Sequence, residues 1–140
     1  MKHEPIMEFE NIQQAYACLK EWQERLFLHD WIISIELDCE LESSAAAEIT
    51  KNHISKVAKI KIGRQDGIDD LFDNLKYCAE QIVVHELLHL IFDMCNYTKT
   101  IEEREFDDLV HTRIDFMARS LIMAKYDLSA DWFSNAKGGL

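Results

Sequence analysis

Along the first part of the chain, Phe9, Ile12, Tyr16, Leu19, Trp22 and Leu26 recur at three- and four-residue steps. That is the spacing of one helical face, and it predicts an amphipathic helix from about 8 to 28. The period then changes to two. Trp31, Ile33, Ile35 and Leu37 alternate with Ile32, Ser34, Glu36 and Asp38, which predicts a half-buried strand. Further on, AEIT and KVAKIKI flank Lys51 to Ser55, where Asn52 suits a turn, so a hairpin is expected. Its second strand alternates Ala58, Ile60 and Ile62 with Lys59, Lys61 and Gly63, one greasy face and one basic.

From Asp69 or Asp70, either of which can cap, the pattern turns helical and stays so to Asp93. Its second half, Ile82 to Met94, is apolar nearly all round apart from His85, Glu86, His89 and Asp93. Such a segment reads as a helix buried in the middle of a domain. Asn96 to Thr100 breaks the pattern. A last helix is expected from Ile101 to Lys125, with Phe106, Leu109, Val110, Ile114, Met117 and Leu121 as its inner face, before a loose tail ending AKGGL.

Composition narrows this picture. With 140 residues, 48% of them hydrophobic, the chain can bury one core, and a single domain over 1–140 is expected. Four glycines and one proline are few for a protein made of many tight turns, which favours long helices with a small sheet. A net charge of −11 disfavours phosphate backbones and anionic lipid. The most basic stretch, Lys51 to Arg64, reads as solvated strand faces, so neither nucleic acid nor membrane is expected as a partner. Cys18, Cys39, Cys78 and Cys95 form no close pair and read as core thiols of a reduced compartment. The N-terminus lacks the apolar run of a signal peptide, and a cytoplasmic location is expected.

His85-Glu86-Leu87-Leu88-His89 is an H-E-x-x-H sequence. Two histidines four apart on a helix project about 40° from each other and about 6 Å apart along the axis, so both imidazoles can reach one ion. Glu86 lies about 100° round from His85, placed to face a water rather than the ion itself. The surrounding Val83, Val84, Leu87, Leu88 and Leu90 strengthen the reading. Burying a carboxylate and two imidazoles among them without partners costs on the order of several kcal/mol, and a divalent ion is such a partner.

A catalytic zinc takes three protein ligands and keeps one position open. His111, on the returning helix, is favoured as the third; Glu102, Glu103 and Glu105 compete for the role, although acids also suit the first turn of a helix. Asp93 and Asp115 each stand four residues beyond a candidate histidine, where they can accept its second ring N–H or serve as plain surface acids. His3, His29 and His53, at the terminus, near a helix end and in the hairpin turn, read as surface histidines.

The succession of helix, W-I-I-S-I-E-L strand, K-V-A-K-I-K-I hairpin strand, Q-I-V-V-H-E-L-L-H-L helix and D-F-M-A-R-S-L-I helix resembles the small phage-associated metallopeptidases of the minimal zincin type, over roughly residues 9 to 125. It is more distantly similar to SprT-like and ImmA/IrrE-like zincins. The resemblance implies an α+β, zincin-like fold with an N-terminal helix, a three-stranded and largely antiparallel sheet, the H-E-x-x-H helix and a C-terminal helix. It implies a sheet edge beside the motif helix that takes an extended peptide by strand addition, here Val57 to Ile62. Relatives carry a glutamate ligand seven residues before an alanine; counting back from Ala118, His111 stands there.

The expected activity is therefore zinc-dependent hydrolysis of a protein or peptide substrate, with one zinc ion on His85, His89 and His111 and Glu86 as general base. Tyr97 or Tyr126 is available as an extra donor to a developing oxyanion. The competing expectation is a metal-holding regulatory or interaction module of phage or mobile-element origin that cleaves nothing.

Overall fold

A computed structural model describes residues 4–41, 46–64, 76–93 and 101–134, without the side chains of 101–104, 106 and 107. The first helix, α1 (Ile12–Arg25), is capped by Asn11, whose side chain accepts from the Gln14 N–H at 2.8 Å, while Gln14 accepts from the Glu10 N–H at 2.7 Å. These two bonds satisfy donors that a helix start leaves free. Ala15, Cys18, Leu19 and Trp22 are its buried face. The helix stops short of the expected residue 28 because Phe27 takes a left-handed φ of 59° and the Leu28 N–H turns back to the Gln23 carbonyl.

Three strands follow: β1 (Ile32–Cys39), β2 (Ala47–Asn52) and β3 (Val57–Gly63). Their order is β1-β3-β2, with β3 parallel to β1 and antiparallel to β2. The fold is α+β as expected, but the sheet is mixed rather than largely antiparallel, and Val57 to Ile62 lies in its central strand rather than at an edge. The side chains explain the placement. Ala58, Ile60 and Ile62 fill the core, while Lys61 faces Glu36 of β1 and Glu48 of β2, and Lys59 bonds Glu36 at 2.7 Å. A basic outer face between acidic neighbours favours the middle position through cross-strand pairing.

The second helix, α2, spans Ala79–Phe92. The expected start at Asp69 or Asp70 lies outside the described residues, and Lys76–Cys78 are not helical, so the long continuous helix is not what forms. Tertiary partners take the backbone donors instead. Lys76 N–H bonds the Phe133 carbonyl, and the Ala79 and Glu80 N–H groups bond Met7 and Ile6 carbonyls at 2.9 and 3.0 Å. The N-terminal segment thus caps α2 from outside its own sequence.

The third helix, α3 (Ile101–Tyr126), packs against α2. Its buried row is Ile114, Ala118 and Ile122, with Val110 and Leu121 beside it. Leu109 and Met117, expected inside, are 49% and 38% exposed, while the Phe106 side chain lies outside the description. The four-residue row centred on Ala118, a small side chain, lets the helices approach closely, and that shifts the face. A short 3-10 turn, Ala130–Phe133, closes the described chain.

One contact ties the helices together. Glu80, 0% exposed, accepts from the Ile6 N–H at 3.0 Å, Trp22 Nε1 at 2.8 Å, Lys125 Nζ at 2.7 Å and Tyr126 Oη at 2.6 Å. Burial pushes its pKa up, but these donors outweigh burial and hold it below the ordinary value. No helix is long and apolar enough to cross a membrane among the described residues.

Candidate metal centre

Two antiparallel helices build the centre. His85 and His89 lie one turn apart on α2, and α3 returns alongside to bring His111 against them. His85 Nε2 lies 3.2 Å from His111 Nε2 and 3.3 Å from His89 Nε2, and the three ligand atoms fall within 4.8 Å of one another. Nitrogens bound about 2.0–2.1 Å from a tetrahedral zinc sit roughly 3.3–3.4 Å apart, so two of the three separations already match such an ion.

The opposite ring nitrogens fix the tautomers. His85 Nδ1 lies 3.0 Å from Asp115 Oδ1, and His89 Nδ1 lies 2.8 Å from Asp93 Oδ1. The hydrogen bond from His85, the leading influence on Asp115, and the one from Arg119 hold its pKa at about 2 against the opposing effect of burial. For Asp93, burial pushes upward most strongly, but His89 and Lys51 together bring it to about 2. Ionised carboxylates only accept, so both Nδ1 atoms carry the proton. With the proton on Nδ1, the two Nε2 atoms, 3.3 Å apart, are the ring nitrogens left to face a shared cation.

His111 is more exposed than the α2 pair. Burial and then the neighbouring His85 and His89 lower its pKa, which keeps its ring neutral and its lone pair free near pH 7. A set of three neutral imidazoles suits a borderline-soft divalent ion such as zinc.

Glu86 is on α2 between the two histidines in sequence, 7% exposed. Burial raises its pKa, opposed by the charges of His85, His89 and Lys51. A carboxyl whose proton affinity is raised in this way is suited to general-base work.

Of the expected ligands, His85, His89 and His111 come together. Glu105 is described, exposed and outside the cluster, and the side chains of Glu102 and Glu103 lie outside the description. Asp93 takes the ring N–H of His89 as its spacing allowed, whereas Asp115, four residues beyond His111, pairs instead with His85 on the facing helix. Tyr126 is committed to Glu80, far along α3 from His111, and Tyr97 lies outside the described residues. His53 packs edge-on to Trp31 at 5.3 Å, with its Nε2 buried and without a partner among the described residues, so it is less superficial than expected; His29 is exposed and His3 lies outside the description. Cys18 and Cys78 are buried as expected, burial pushing the Cys78 thiol up to about 11, whereas Cys39 is half-buried at the end of β1 and Cys95 falls outside.

Two cations at this centre escape the sequence reading. Arg119 bonds Asp115 Oδ2 at 2.6 Å, and Lys51, from β2, bonds Asp93 Oδ2 at 2.7 Å. The Arg119 contact has a signal in the chain, since His111, Asp115 and Arg119 are successive four-residue steps on one helix. Lys51 has none, because its approach depends on β2 being the strand that packs against α2.

Comparison with protein-family models, with curated proteins and with solved structures returns no match, so these side chains and their geometry carry the functional reading.

Proposed function

We propose that this chain is a zinc-dependent hydrolase of the zincin type that cleaves peptide bonds, with His85, His89 and His111 as the metal ligands and Glu86 as the general base. The observation that carries the proposal is the convergence of three imidazole Nε2 atoms, two of them with their Nδ1 protons already given to carboxylates. Bound at these nitrogens, zinc would supply Lewis acidity, acidifying water and stabilising negative charge that develops on a carbonyl oxygen. Glu86 takes the water proton on its carboxylate and passes it to the departing amine nitrogen. Asp93 and Asp115 keep the rings in the tautomer that leaves Nε2 free.

Topology supports β2 as the strand that would take the substrate. Since β3 is central, a peptide can add only at β1 or β2, and β2 (Ala47–Asn52) is the edge strand that packs against α2. An extended peptide paired there would lie next to the histidines, with backbone hydrogen bonds supplying affinity.

The test pairs metal analysis with turnover. Protein loaded with one equivalent of zinc should cleave a mixed peptide library, and Glu86→Gln should keep the metal while losing cleavage. Equal cleavage by Glu86→Gln ends the assignment of the base, and zinc bound without any cleavage favours the regulatory or interaction module.

A further inference from the structure

The carboxylates behind the two α2 histidines are each used twice, in the same way. Asp93 accepts from His89 Nδ1 at Oδ1, 2.8 Å, and from Lys51 Nζ at Oδ2, 2.7 Å. Asp115 accepts from His85 Nδ1 at Oδ1, 3.0 Å, and from Arg119 Nη2 at Oδ2, 2.6 Å. Each histidine therefore ends a three-member chain of cation, carboxylate and ring. The chains have different origins. Arg119 and Asp115 are one turn apart on α3, whereas Lys51 reaches from β2 to the residue just past the end of α2.

Local helix pairing accounts for an exposed Asp–Arg contact four residues apart, worth a few tenths of a kcal/mol. It does not account for Lys51. The Lys51 side chain is only 14% exposed, and a long, strongly hydrated ammonium gives up water only where a partner replaces it. A carboxylate bonded through one oxygen can still swing about its own axis, and a second bond to the other oxygen removes that freedom. Held by both oxygens, the acceptor stays in the plane of the imidazole, and the ring's Nε2 stays aimed at its neighbours.

We infer that Lys51 and Arg119 are positioning residues for the metal centre, each locking the carboxylate that orients one α2 histidine. The inference rests on the metal-binding reading above and extends it, since it makes the β2 edge, where a substrate would pair, mechanically continuous with His89. Neither cation touches the metal or the substrate in this role; each acts through its aspartate.

The experiment uses the full chain and two probes, zinc titrated against a chromophoric chelator and nitrogen-15 spectra of the histidine rings in metal-free protein. Lys51→Met and Arg119→Met should each weaken zinc binding by about tenfold or more, the size expected for outer partners of a ligand. Lys51→Arg should restore most of the loss, and Lys59→Met, on the same sheet but paired with Glu36, should change nothing. In the metal-free spectra, Lys51→Met should reduce the share of His89 protonated at Nδ1 and leave His85 alone, with the reverse for Arg119→Met. Folded variants with unchanged affinity and unchanged tautomers overturn the inference. If Lys51→Met does not fold, Arg119→Met decides by the same two readings. If the natural chain binds no metal, the proposed function falls, and the ring spectra alone still decide whether the two cations position the histidines.

Discussion

Two glutamates on α2, Glu80 and Glu86, are both buried, yet they sit in opposite electrostatic worlds. Glu80 is surrounded by four donors drawn from the N-terminal segment, α1 and α3, which hold its pKa below the ordinary value against its burial. For Glu86 burial wins, and the pKa goes up. A carboxylate with every lone pair engaged is a fastener. One that is buried near His85 and His89 with its proton affinity raised is available to exchange a proton. The same residue type, six positions apart on one helix, thus separates the end of α2 that holds the fold from the end that can do chemistry.

That contrast breaks most sharply by substitution. Glu86→Gln should lower kcat by about a thousandfold or more, some 4 kcal/mol of transition-state stabilisation, with metal content unchanged in the same preparation. Glu80→Ala should instead cost about 3–5 kcal/mol of folding stability, measured by urea denaturation, because the Ile6 N–H, Trp22 Nε1 and Tyr126 Oη lose their acceptor and Lys125 keeps only Glu21. Swapped outcomes would dissolve the distinction.

A finer test is stability in the metal-free state. A raised native pKa means that Glu86 favours folding at low pH and that this contribution disappears as pH climbs through its native value, so the ionised form is a burden at neutral pH. Glu86→Gln should therefore raise the metal-free Tm at pH 7 by about a few degrees, read by calorimetry. Glu80 has the opposite sign: its lowered pKa stabilises above the unfolded value, and the benefit drains away as pH falls through the native one. Asp93 and Asp115 follow Glu80, and with native values of about 2 their contribution should fade between about pH 4 and pH 2. An acid titration of Lys51→Met should show the Asp93 part of that loss moving to higher pH, the smallest of these effects.

The histidine cluster at the Glu86 end was legible in the chain, whereas the fastening at the Glu80 end was not. Helical spacing was enough to bring His85 and His89 together, whereas the need for a third donor on a returning helix favoured His111 but left Glu102, Glu103 and Glu105 in competition until α3 was seen to carry His111 against the pair. Glu80 draws its donors from residues up to 74 positions away, and no local pattern brings Ile6, Trp22, Lys125 and Tyr126 together. The sheet failed for a similar reason. Alternation marks strands and their faces but is silent on order, so the hairpin could be anticipated while the parallel β1–β3 pairing, and with it the central position of Val57–Ile62, could not. On α3, the expected inner face left out Ala118 and Ile122, and contact with α2 buries those two with Ile114 while Leu109 and Met117 turn outward.

The central claim is that three imidazoles hold one ion. Crystals grown with zinc and measured at its absorption edge should give a single anomalous peak about 2.0–2.1 Å from the Nε2 atoms of His85, His89 and His111. A map with no peak among those nitrogens, or with zinc held elsewhere while the three rings stand apart, would contradict it.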